Sequence, residues 1–350
     1  MELNLDLLKE LCLVAGAPGQ EERVRKIVLR EVAPLVDEIK IDPMGNIIAT
    51  KKGKEQKKVM AAAHMDEIGF IITHLDDKGF ARFHTLGGFD PKTLTSQRVI
   101  VHGKKDLIGV LGSKPIHIMD KEDRGKAPRL KDFFIDFGMP YHQVKELVSV
   151  GDFVTRERDL VEIGDCVSTK SLDDRVCVFI LIEALRQLGT PTFDFYAVFT
   201  VQEEIGMRGA QVSSRSINPD FGFGLDVTIA NDLPGVGGHE TITRIGEGTA
   251  IKLMDSSVIS DTRMVTFMKK IASHYNITFQ EEILTAGGTD TAAIQRSGEG
   301  AIVGCISVPT RHIHSTVEMC HKNDILQSIQ LLSRCVENMD QFSYDWVERM

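Results

Sequence analysis

The sequence predicts an α/β protein: a mixed, largely parallel β-sheet between helices, interrupted by a small inserted all-β domain. Three observations carry that prediction. Short unbroken apolar runs, GNIIAT, VMAAAH, FYAVFTV, FGFGLDV and AIVGCISV, suit strands covered on both faces. Between and around them, residues 4–14, 20–33, 174–188, 258–275 and 323–340 place apolar side chains at helical spacing. The stretch from 69 to 163 has another texture, rich in glycine, β-branched residues and short alternating segments, and helical periodicity resumes only after Ser171.

In chain order, the opening MELNLDLLKELCLVAGAPGQEE carries acids where a secretory signal carries Lys or Arg, and its apolar residues are spaced for a helix. A cytoplasmic protein is expected. Residues 1–68 and 164–350 then form one discontinuous α/β domain, with 69–163 as a barrel-like insert. Within the insert RVIVHGK, DLIGVLGS and DFFIDFG read as strands, and IMDKEDRGKAPRLKD, charged and broken by Pro and Gly, reads as an exposed, mobile loop. The last helix is the clearest: Asn323 is its N-cap candidate, and Ile325, Ile329, Leu332, Val336 and Met339 follow at steps of four and three.

A hydrophobic content of 42% in 350 residues supplies a real core, and the net charge of −9 argues against a general nucleic-acid or anionic-membrane surface. No segment approaches the roughly 18 apolar residues of a membrane span. The six cysteines are scattered with no CxxC pair, which fits reduced core thiols.

Open α/β sheets bind ligands at the carboxyl ends of their strands. VMAAA is followed there by His64, Asp66 and Glu67, and FYAVFTVQ by Glu203 and Glu204. FGFGL runs into Asp226, AIVGCISVPTR into His312 and His314, and the acidic pair Asp173 and Asp174 opens a helix. Alone, His64 or His314 would be an ordinary core histidine, Asp226 a turn residue, and Glu203 and Glu204 a chain re-entering water. Coincidence at every one of these ends is much harder to sustain. Imidazoles and carboxylates without a thiolate suit a borderline or hard divalent ion, Zn foremost with Co or Mn as alternatives, and the number of donors suits two ions.

These residues lie in motifs, AAHMDEIGF (62–70), KSLDDR (170–175), VQEEIGMRGA (201–210), LDVT (225–228), MDSSVISD (254–261), AGGTD (286–290) and RHIHS (311–315), whose order and spacing run over essentially the whole chain. The chain thereby resembles the dinuclear-metal aminopeptidases that include glutamyl aminopeptidases and the tetrahedral (TET) peptidases, a family in which some relatives carry an endoglucanase label. The resemblance implies a zinc-peptidase-like catalytic domain acting on peptides. It implies His64 and Asp226 on separate metals, Asp173 bridging them through a cis Asp173–Asp174 bond, and Glu204 and His314 completing the shells. Glu203 would be the general base, and Asp66 would stand behind His64 as the acceptor of its second ring N–H. An ion holding the substrate's free α-amine would make the enzyme an exopeptidase.

In that family the inserted domain pairs subunits and twelve subunits close a tetrahedral shell, so a homo-oligomer is expected, a dimer through the insert or a dodecamer. Gly288, Asp290, Arg311 and His312 are candidates for the substrate pocket. Because His312 and His314 are two apart, an extended strand would point both the same way. The competing functions are an N-acyl amino acid deacylase on the same metal core, a glycoside hydrolase using paired carboxylates, and a non-enzymatic assembly protein.

Overall fold

The computed structural model describes residues 2–122 and 124–345. Helices α1 (Leu5–Leu13) and α2 (Glu22–Val32) lead into β1 (Glu38–Ile41), β2 (Ile47–Lys51) and β3 (Glu55–His64). Strands β4 (Gly69–Leu75), β5 (Ala81–Leu86), β6 (Arg98–His102), β7 (Asp106–Gly112) and β8 (Phe134–Asp136) follow, then α3 (Tyr141–Leu147) and β9 (Phe153–Arg156). The chain continues through β10 (Val161–Ile163), β11 (Cys166–Thr169), α4 (Leu172–Gln187), β12 (Phe193–Thr200), α5 (Arg208–Ile217) and β13 (Phe221–Ile229). It ends with β14 (Thr249–Met254), α6 (Thr262–His274), β15 (Phe279–Ile283), α7 (Thr291–Gln295), β16 (Ile302–Arg311), β17 (Glu318–His321) and α8 (Lys322–Glu337).

Among the described residues eleven strands form one mixed sheet, in the order β1-β2-β12-β3-β13-β16-β17-β11-β10 with β14 and β15 branching from β16. Its centre, β12-β3-β13-β16, is parallel throughout. The unbroken apolar runs are explained by burial on both faces. In β3, Val59, Ala61 and Ala63 face the larger core, with Leu8, Val28, Phe179, Met268 and Leu332 from the helices. Met60 and Ala62 point the other way, towards Val198, Ile217, Ile294 and Val303. Helix α4 is buried on all sides from Leu172 to Ile182.

The insert folds as a closed barrel, β4-β5-β8-β7-β6-β9. Phe70 fills it, packing against Phe83 and Phe89. The insert also departs from the expected all-β texture, because Pro140 starts a short helix, α3, whose Val144 closes the barrel core. The return to the large sheet begins at Val161, where β10 pairs with β11. A polar strap ties the two parts together: Arg23 of α2 donates to both oxygens of Asp106 on β7 at 2.6 and 2.8 Å.

At the last helix the N-cap is His321 rather than Asn323; the His321 ring nitrogen Nδ1 accepts the Asn323 backbone N–H at 3.1 Å. The five predicted core residues of that helix are buried. All six cysteines are free, five of them buried. Apart from Asp123, which lies outside the described residues, the charged loop of the insert is mostly exposed.

Candidate metal centre

The parallel centre of the sheet explains how distant residues meet. β3 ends at His64, β13 carries Asp226, and β16 ends at Arg311 just before the loop of His312 and His314. In the irregular first turn of α4 the chain delivers Asp173 and Asp174 across a cis peptide bond. Beyond β12 it must bring two adjacent glutamates to one place, although adjacent strand residues point to opposite faces. The turn is made by Gln202 at φ 56° and Gly206 at φ 120°. It is held by buried carboxylates. Glu21 accepts the Gln202 N–H at 3.2 Å, and the two oxygens of Asp66 accept those of Glu203 and Glu204 at 3.0 and 3.1 Å.

Asp173 lies at the middle of the resulting group. Its Oδ1 is 3.1 Å from His64 Nε2 and its Oδ2 is 3.2 Å from His314 Nε2. His314 Nε2 is also 3.5 Å from Glu204 Oε2, and Glu203 Oε2 lies 4.0 Å from His64 Nε2. Donor atoms of His64, Asp174 and Asp226 fall within 4.8 Å of one another, as do those of His64, Asp173 and Glu204. His64 belongs to both groups, and Asp226 comes beside it because β13 runs parallel to and beside β3.

Asp66 also differs from its expected part. His64 Nδ1 lies 3.1 Å from the Asp66 backbone carbonyl and 3.5 Å from its carboxylate, which is occupied with the two glutamate amides. The ring is oriented all the same, by a carbonyl.

The donors are all nitrogen and oxygen, and they fit cations by their charge. Burial and the neighbouring Asp173 push Glu204 and Asp226 up to about 8, against the pull of His64 on both. Glu203 is raised well above the usual carboxylate range by burial, with Asp226, Asp290 and Glu204 adding to it and His64 opposing. Although burial works against its charge, hydrogen bonds from His314 and His64 hold Asp173 below that range. Buried oxygens of Asp174 and Glu204 have no hydrogen-bond partner among the described residues. So many crowded carboxylates with spare lone pairs form a cradle for divalent cations.

Of the predicted pocket residues, Asp290 lies near enough to the cluster to raise Glu203, whereas Arg311, His312 and Gly288 have other surroundings. Arg311 is committed to Asp232, donating at 2.8 and 2.6 Å. His312 and His314 do not point together, since the strand ends at Arg311 and both histidines adopt positive φ, 60° and 64°. His312 instead lines an open cavity of about 490 Å³ with Arg98, Arg158 and Met319. Gly288 is exposed beside Ser257, and Asp290 is buried with Oδ2 accepting from Thr200 at 2.5 Å. Sequence reasoning missed the support beneath the acidic pair: buried Glu67 accepts from Lys170 at 2.7 Å and Ser171 at 2.5 Å, with Arg175 at 3.8 Å. The available signal was charge, Lys170 and Arg175 flanking LDD in an otherwise apolar setting.

The model of the M42 glutamyl aminopeptidase family matches residues 45–331. A putative aminopeptidase of Acetivibrio thermocellus is 39% identical over 95% of this chain and 98% of its own length. A lysyl aminopeptidase of Pyrococcus furiosus is 33% identical over 98% and 99%. Among solved structures, the TET aminopeptidase of Thaumarchaeota archaeon SCGC AB-539-E09 superimposes with a TM-score of 0.94 at 32% identity, covering 97% of this chain and 98% of that one. The TET1 peptidase of Pyrococcus horikoshii, described as assembling into a tetrahedron or a large octahedral shell, gives 0.86 at 32% identity, covering 95% and 98%. A Thermotoga maritima structure described as an endoglucanase gives 0.79 at 31% identity, covering 95% and 97%. The chain belongs to the M42 glutamyl aminopeptidase family and is a peptide hydrolase.

Proposed function

We propose that this protein is an aminopeptidase that removes N-terminal residues from peptides with two divalent metal ions, Zn foremost. The observation that carries this reading is the split of Asp173, one oxygen towards His64 and the other towards His314. His64, Asp226 and Asp173 Oδ1 would hold one ion, with Asp174 adjoining. Glu204, His314 and Asp173 Oδ2 would hold the other. Bound there, the pair would supply Lewis acidity to a water and to the scissile carbonyl.

The remaining chemistry falls to the chain. The Glu203 carboxylate takes a proton from the attacking water as the oxygen bonds to the carbonyl carbon. It returns that proton to the leaving nitrogen as the C–N bond breaks. Asp66 fixes where this base sits, through the Glu203 N–H.

Self-association belongs to the same proposal. The barrel exposes Ile108, Val110, Ile116 and Ile118 at 60, 49, 55 and 65% of their surfaces, an apolar face suited to a second copy. A homo-oligomer built on barrel-paired dimers is proposed, and light scattering measures its size. The hydrolytic reading is tested with a panel of aminoacyl and N-acyl chromogenic substrates, with and without chelator. Cleavage confined to free-amine substrates, lost on chelation and regained with Zn or Co, supports it. Chelator-resistant cleavage, or preference for N-acyl substrates, overturns it.

A further inference from the structure

Strand β17 lies between β16 and β11 in the sheet, and these two neighbours launch the segments that carry His314 and Asp173. Glu318 opens β17, opposite Thr169 of β11, and is fully buried. Its Oε2 accepts the backbone N–H of Asp173 at 3.1 Å, and its Oε1 accepts that of His314 at 2.9 Å. Neither amide has a partner in regular structure: Asp173 is non-helical at φ −75° and ψ 105°, and His314 sits at φ 64°. A buried amide without an acceptor is costly, so one carboxylate serves two donors that are otherwise unmet.

Arg156, the last residue of barrel strand β9, is 2% exposed, and none of its guanidinium nitrogens has a hydrogen-bond partner among the described residues. The guanidinium faces the Phe89 ring at 5.6 Å. Burial pushes Glu318 up to about 7, and Arg156 is the strongest charge pulling it back.

We propose that Glu318 is a positioning residue of the metal centre. By accepting both backbone N–H groups it sets the separation of Asp173 and His314. The inference rests on the two-metal reading above. It requires that altering Glu318 change how tightly and in what geometry ions are held, while the fold persists.

The test uses the full-length chain and the variant Glu318→Gln. Co(II) and Zn(II) affinities come from competition with a chromogenic chelator, ligand geometry from the visible Co(II) spectrum, and fold from circular dichroism and the urea midpoint of the metal-free chain. Gln keeps the shape of Glu318 but turns an NH2 donor towards one of the two N–H groups. Affinity is expected to fall about 10–100-fold in Glu318→Gln, with a shifted Co(II) spectrum and a metal-free midpoint near wild type. Wild-type affinity and spectrum in Glu318→Gln would overturn the inference while leaving the two-metal reading intact. A wild-type chain that binds no divalent ion would overturn both readings together.

Discussion

The backbone N–H of Glu203 donates to the carboxylate of Asp66 at 3.0 Å, and the other carboxylate oxygen takes the next amide in the chain. Hydrogen bonds to a charged acceptor contribute about 1.5–3 kcal/mol each. Asp66→Asn keeps one acceptor and sets an NH2 against the second amide. We expect kcat to fall about 10–100-fold with KM less affected, read from steady-state kinetics at saturating metal. An unchanged kcat would remove Asp66 from the positioning of Glu203.

Glu203→Gln separates proton transfer from metal holding. Turnover is expected to fall by about 10²–10⁴-fold, the usual contribution of a general base, while metal content by elemental analysis stays at the wild-type value. Near-normal turnover in metal-replete variant protein would rule out the base assignment.

Asp173→Asn and His64→Ala are expected to behave differently, losing bound metal along with activity. Asp173 is approached by both imidazoles, so its replacement should lower the occupancy of two ions, whereas His64→Ala should weaken one more than the other. Metal-to-protein ratios after gel filtration distinguish these outcomes.

Gly224 lies in β13 two residues before Asp226, and a Cβ there would meet Thr291 Oγ1 at 1.8 Å and Thr291 Cβ at 2.9 Å. The glycine lets the start of α7 press onto the strand. Gly224→Ala should destabilise the fold by about 1–3 kcal/mol, as overpacking does, and impair activity by displacing Asp226. A urea midpoint equal to wild type would contradict this.

Asp324, at the start of α8, accepts the backbone N–H groups of Gly246 and Gly248, and burial raises it to about 6 from 3.8. With the folded value above the unfolded one, the folded state binds the extra proton between about pH 4 and 6. This contribution to stability is full below that window and is lost as pH rises through it. Asp324→Asn removes the titration, so the stability of the variant relative to wild type should improve by up to about 3 kcal/mol from pH 4 to 7. Paired denaturation midpoints across that range give the sign directly.

What was legible in the sequence follows from how each element is buried. VMAAAH and FYAVFTV announced themselves because both faces of β3 and β12 pack into cores. Helix α5 did not, because the face it buries is mostly small, Gly209, Ala210, Ser213 and Ser214, with Ile217 as its one large apolar residue. Strands β1 and β10 are exposed along their length and, at four and three residues, too short for their alternation to stand out. In β14 and β15 the pattern is broken by Lys252 and Glu282, which neutralise each other in the interior at 3.1 Å. At the site, residues standing at strand ends could be picked out by position. The pairing of Arg311 could not be read, since its partner Asp232 lies 79 residues away and only folding joins them. Glu318 carries no sequence signal, because the groups it accepts from are backbone N–H groups, which leave no motif.

Strands β4 and β9 are antiparallel neighbours, Phe70 opposite Val154 and Ile71 opposite Phe153. The chain thus enters and leaves the barrel through one doorway, about one strand spacing, roughly 5 Å, wide. Topologically the barrel is a detour on the path from β3 to β10, and a turn of a few residues would span its two ends. Such a shortcut would take away Gly87 and Gly88, the barrel turn that lies against Glu204 and His314. The catalytic half could be closed without its insert, but it would then lack one wall of its own centre.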